Sequence, residues 1–137
     1  MSLARCSGFW TVLLAVVHVS TAPLFYADSL RSILEAGVLG ALDKDPELAT
    51  LRGAAFWYVT VGLFLGLVGV MVLRAERRGE GAPRGFAGAL AATGVWGVVL
   101  TPASGFWLFL PLAWLAWRST ARAHRGTEPA GLATRAP

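Results

Sequence analysis

The chain has 137 residues, of which 55% are hydrophobic and 15% charged, and its net charge is +4. Soluble domains carry about 25% charged residues, and so short a chain has little interior in which to hide this much apolar surface, so composition excludes an ordinary soluble domain and points to one domain in a bilayer. The positive charge does not indicate nucleic acid, because the basic residues flank runs of Leu, Val and Gly, the placement that orients a membrane protein.

Cys6 is the one cysteine, so no intramolecular disulfide can form. It precedes the first apolar run and is expected to be an inert thiol near the membrane surface. A zinc cluster is excluded by the cysteine count and by the distance in sequence between His18 and His124. No metal and no cofactor is expected.

The first apolar run, Ser7 to Ala27, has no Asp, Glu, Lys or Arg. At 1.5 Å per residue it can cross a hydrocarbon layer of about 30 Å. Arg5 precedes it, Asp28 ends it, and Pro23 is placed to kink it near the far interface. A cleaved signal peptide is the rival reading. Its cleavage sites are poor: Ser20-Thr21-Ala22 is followed by Pro23, and Phe25 stands two residues before Ala27. A retained span is predicted.

Between Asp28 and Gly53 the chain is too charged to span. Ser29 is placed to cap a short helix in which Leu30, Ile33, Leu34, Val38 and Leu39 recur at helical spacing. Gly37 and Gly40 weaken that helix, and Asp43-Lys44-Asp45-Pro46-Glu47 reads as a polar turn. The expectation is an amphipathic helix on the membrane surface or capping a bundle.

The second span is predicted over about 54–73. Trp57 and Tyr58 stand at its start, at aromatic-belt depth, and Arg74, Arg77 and Arg78 close it. The stretch from Phe86 to Trp117 is too long for one ordinary span. Pro102-Ala103-Ser104-Gly105 supplies turn chemistry near its middle, which predicts spans over about 86–101 and 106–119, with Pro102 and Gly105 making the turn. Arg118 and Arg122 can snorkel. The rival is a single helix kinked at Pro102. The membrane domain is assigned to residues 1–125 and a disordered tail to 126–137.

Four spans put both termini on one side. Nine of the twelve basic residues fall there: Arg5, Arg74, Arg77, Arg78, Arg84, Arg118, Arg122, Arg125 and Arg135. The other side holds Arg31, Lys44 and Arg52 with five of the eight acids. The bias places both termini in the cytoplasm. Leaving the last stretch unsplit would put the tail arginines outside.

Helices in lipid associate through small residues. Gly62, Gly66 and Gly69 lie roughly on one side of the second span, and Gly88 with Ala92, and Thr93 with Gly97 and Thr101, repeat the pattern in the third. Packing within one bundle is expected from them, with a homo-oligomer seam as the alternative.

His18 is the one ionisable side chain, tyrosines aside, inside a predicted span. Thr11, Ala15, Thr21 and Ala22 share its face. Such a group is a functional candidate by default, and a neutral imidazole can bind a proton, a metal or a polar ligand. The plainer reading is a hydrogen bond to another helix. The candidate ligand-binding set is His18, Thr21, Trp57, Tyr58, Arg52 and Trp96. Interface anchoring accounts for most of the tryptophans, core packing for Trp96, and a surface position for Arg52. No catalytic residue is assigned: the sequence holds no credible Ser-His-Asp set, phosphate loop or metal spacing.

Several of these motifs carry a resemblance. Ser7-Gly8 opens the first span and His18 lies within it; Ala55-Phe56-Trp57-Tyr58 opens the second and Arg74-Ala75-Glu76-Arg77-Arg78-Gly79 closes it; Thr101-Pro102-Ala103-Ser104-Gly105-Phe106-Trp107 forms the final turn. Over about residues 5–120 the chain resembles an uncharacterised family of small bacterial four-helix integral membrane proteins, a domain of unknown function, and more loosely DoxX-like membrane proteins. The resemblance implies four spans in a bacterial inner membrane and supplies no activity. The fold expected is all-α: an integral membrane four-helix bundle with a short amphipathic helix in the outer loop between spans one and two. The bilayer is the expected partner, with a membrane-protein partner or second copy besides, and no nucleic acid. Three functions are carried forward: a non-enzymatic structural or partner subunit, a small-ligand binder or transporter near His18, and a redox or quinone-linked membrane component.

Overall fold

A computed structural model describes residues 3–126. Within them the fold is all-helical, without strands. Five α-helices follow in order: α1 (Ser7–Ser20), α2 (Ala22–Glu35), α3 (Pro46–Arg77), α4 (Phe86–Leu100) and α5 (Phe109–Gly126). Short 3-10 turns at Leu3–Arg5 and Gly105–Leu108 precede α1 and α5. The predicted disordered tail lies outside the described residues beyond Gly126, which itself ends α5.

The first apolar run is not one straight helix. It breaks at Thr21, and α1 and α2 meet at a bend of 49°. Pro23 is the cause: it has no N–H to donate, and its ring opposes the carbonyl four residues back. A second distortion follows at Tyr26 (φ −131°, ψ 29°). No break falls at Asp28, so Ser29 sits inside α2 instead of capping a new helix. α2 is thus two helical stretches joined at the Tyr26 kink, and the second, which holds Ser29 within it, starts just before Asp28. Gly37, at φ 84°, closes α2: its N–H donates to Leu34 O, and Val38 N–H donates to Ile33 O, the paired bonds of a glycine-terminated helix.

α3 is 32 residues long, about 48 Å at the standard rise. It starts well before Ala54 because Asp45 and Pro46 form a strong N-terminus. The Asp45 carboxylate accepts from Glu47 N–H at 3.0 Å, and Pro46 loses nothing in a first turn where its N–H would have no partner. At the other end Gly79 (φ 82°) repeats the α2 closure, with Gly79 N–H donating to Glu76 O and Glu80 N–H to Ala75 O. Among the described residues α3 is the one helix long and apolar enough by itself to cross a membrane, and the bent α1–α2 pair is a second if it counts as one span.

The chain reverses at Thr101–Ser104, and α5 packs on α4. Ser104 Oγ donates to Thr101 O at 2.6 Å and accepts from Phe106 N–H at 3.4 Å, while Trp107 Nε1 donates to Pro102 O at 2.8 Å. The Phe106 ring occupies the place a Cβ on Gly97 would take, and Phe109 and Leu110 lie against Gly94.

Two compact units divide the chain, one of Thr11–Val68 and one of Met1–Trp10 with Gly69–Pro137. In both, the buried positions are dominated by small residues: Ala15, Ala22, Ala41 and Ala55 in the first, and Cys6, Ser7, Ala75, Ala82, Ala113 and Ala116 in the second. Val72, Leu90 and Leu112 are also buried, but most large apolar side chains point outward, among them Leu63, Phe64, Leu67 and Met71 of α3, and Val99 and Trp117 of the hairpin.

Candidate functional site

In the unit of residues 11–68, the bend at Thr21 brings three of the candidate side chains together. His18 lies in the last turn of α1, Thr21 at the break and Tyr58 on α3. His18 Nε2 is 3.0 Å from the Tyr58 carbonyl. A carbonyl only accepts, so Nε2 carries the hydrogen of the neutral ring and Nδ1 is its acceptor nitrogen. Thr21 Oγ1 donates to His18 O at 2.7 Å. That uses its single hydrogen, so the Tyr58 hydroxyl, 2.9 Å away, is the donor to Thr21. The two rings also stack, with centroids 4.0 Å apart and planes 18° apart.

Gly62 makes this approach available. A Cβ there would stand 2.5 Å from Val19 Cγ2 and 2.9 Å from His18 Cδ2. One turn on, Gly66 meets Ala15 at an ordinary 3.5 Å.

Arg52 belongs to a different cluster. It is inside α3, only 6% exposed, and its Nε donates to Ser32 Oγ at 2.9 Å while Nη1 donates to the Ala41 carbonyl at 2.7 Å. It ties α2 and the following turn to α3, which overturns the surface position expected for it. Trp57 is 62% exposed and Trp96, in the other unit, 67%. Neither is an enclosed wall, and the core position expected for Trp96 is replaced by an outward one. His18, Thr21 and Tyr58 are thus the part of the candidate set that the fold assembles.

The other unit holds a polar centre that sequence reasoning missed. Glu76, 1% exposed, accepts at Oε1 from Ser7 N–H (3.0 Å) and Ser7 Oγ (2.7 Å), and at Oε2 from Gly8 N–H (3.0 Å). These amides belong to the first turn of α1, where N–H groups have no partner within the helix, so a carboxylate 69 residues away acts as its cap and complements its dipole. A Cβ on Gly8 would overlap the Leu73 backbone and crowd the Gly69 carbonyl; the lack of one lets Glu76 reach. The signal was present: Glu76 is an acid amid Arg74, Arg77 and Arg78, on the side assigned nine of the twelve basic residues. Beside it, burial pushes the Cys6 thiol above its ordinary value of 9.0, and the Glu76 charge adds to that. Among the described residues no three His, Cys, Asp or Glu side chains are grouped to hold a metal ion.

Residues 2–123 match DUF6463, a family of unknown function. The chain belongs to that family. No curated protein and no solved structure matches it, so the looser DoxX-like similarity has no counterpart here. The DUF6463 match takes in both the His18–Thr21–Tyr58 cluster and the Glu76 cap.

Proposed function

We propose that this DUF6463 protein is a multi-pass protein of the bacterial inner membrane, with both termini cytoplasmic, acting as a non-enzymatic structural or partner subunit. The bent α1–α2 pair would be the first span, α3 the second, and α4 and α5 the third and fourth of a four-helix bundle whose membrane domain takes in residues 1–125. One observation carries the reading. The most apolar stretch of α3 is only 17% buried, while His18, Thr21, Arg52 and Glu76 are hydrogen-bonded to other parts of the chain. A core helix of a soluble protein would be covered; an apolar surface this continuous fits lipid. Small residues at helix contacts agree with it. α4, at 15 residues or about 22 Å, is short for a span, and snorkelling with local thinning would accommodate it.

The test is labelling of single cysteines in a Cys6→Ser background. An impermeant maleimide should reach Lys44→Cys in intact cells and Arg84→Cys only after lysis, with the protein staying in the membrane through alkaline carbonate. Release by carbonate, or Arg84→Cys labelling in intact cells, overturns the reading.

A second reading, binding or transport of a small ligand near His18, is favoured by His18 Nδ1, for which the network above leaves no role. It predicts a small molecule that co-purifies with wild type and is lost from a folded His18→Ala variant. Co-purification unchanged by the substitution removes it.

A further inference from the structure

The unit of residues 1–10 and 69–137 carries the exposed arginines Arg5, Arg74, Arg77, Arg84, Arg118 and Arg122. Its described acids do not offset them. Glu76 is buried and taken up by the first amides of α1, and Glu80 is paired with Arg78 at 2.6 Å. Three arginines converge on the start of α1. Arg122 Nη2 donates to the Arg5 backbone carbonyl at 3.3 Å, and Arg77 follows Glu76, whose carboxylate is bonded to Ser7, two residues after Arg5. Like charges assembled by a fold repel unless an anion shares the site, and arginine forks suit phosphate oxygens.

We propose that Arg5, Arg77 and Arg122 seat the phosphate headgroup of an anionic phospholipid of the cytoplasmic leaflet. This rests on the membrane reading above. A lipid, and not a small soluble anion, fits because exposed apolar side chains lie along the same elements: Leu3 is two residues before Arg5, and Met71 is six residues, about 9 Å of helix, before Arg77 on α3. A ligand charged at one end with an acyl chain along the helix matches that order. Arg118, stacked over Trp114 at 4.5 Å, is the kind of aromatic–cation pair that marks interfacial depth.

The test places the full-length protein in nanodiscs of equal phosphatidylglycerol and phosphatidylcholine with identical acyl chains, and reads the retained lipid by native mass spectrometry. Wild type should retain phosphatidylglycerol preferentially, and inorganic phosphate should not displace it. The preference should fall roughly tenfold in Arg77→Gln/Arg122→Gln and stay unchanged in Arg31→Gln, which removes a charge elsewhere. Arg74→Gln/Arg118→Gln, on the rim, should give a smaller fall and stands in should the first variant lose its circular dichroism. No preference in wild type, or a preference that survives both double substitutions, overturns the proposal. Displacement by phosphate would make it a small-anion site instead. Failure to enter any disc would bring down the membrane reading, and this proposal with it.

Discussion

Glu76 is the residue whose substitution should matter most. Its carboxylate accepts three hydrogen bonds from Ser7 and Gly8, and charged acceptors in buried settings contribute about 1.5–3 kcal/mol each. Glu76→Gln keeps the shape but turns an amide donor toward N–H or O–H donors, so a loss of about 2–4 kcal/mol is expected, read as a lower Tm in detergent. His18→Ala removes one bond to a carbonyl that sits inside α3, and about 1 kcal/mol should go with it. Cys6 gives a pH prediction. Its folded thiol titrates above its ordinary value, so the folded state holds the proton more tightly. That contribution is complete below the ordinary value of 9.0 and is lost as pH rises through the folded value. Maleimide should therefore fail to label Cys6 in the folded protein at neutral pH and label it readily after denaturation.

Among elements, the glycines rank the helix contacts. At Gly8 a Cβ would meet the Leu73 backbone, which cannot move aside; at Gly62 it would meet the ends of Val19 and His18; at Gly53 it would meet nothing within 4 Å. Gly8→Ala should therefore destabilise most, Gly62→Ala by about 1–3 kcal/mol through overpacking, and Gly53→Ala should stabilise by about 0.5–1 kcal/mol as a helix-interior replacement. Thermal melts of the three variants check the order. The same contacts explain what could be read in advance. The face of Gly62, Gly66 and Gly69 was visible because small residues repeat at helical spacing. The break at Thr21 was harder to place, since Pro23 marks a disturbance without saying which side the helix will fail on. The start of α3 was misplaced because hydropathy tracks the apolar run, whereas helix ends follow caps, and Asp45-Pro46 is a cap in a polar stretch.

For the molecule as a whole, the distribution of side chains is the main fact. Most buried positions hold alanine or another small residue, and most of the large apolar side chains are outside, with Val72, Leu90 and Leu112 the buried exceptions. In water that arrangement would expose a large apolar surface and favour aggregation; among lipid tails it costs nothing and lets helices approach closely. The protein should accordingly be stable in detergent micelles or nanodiscs and precipitate when detergent is removed, which a centrifugation assay of the dialysed protein would detect.

The helical class, the apolar runs and the turn at Pro102-Ala103-Ser104-Gly105 were legible in the sequence alone, and His18 stood out there as a polar group within an apolar run. All of these are properties of neighbours along the chain: hydropathy, local turn chemistry and spacing. Which polar groups meet became visible only with the folded chain. The link from Glu76 to Ser7 spans 69 residues and the link from His18 to Tyr58 spans 40, and no local pattern encodes such a pairing. Arg52 shows the same limit. In sequence it stands just before the second apolar run and reads as a surface charge; its burial follows from Ser32 and Ala41 arriving beside it, which depends on where α2 ends and how the chain turns back into α3.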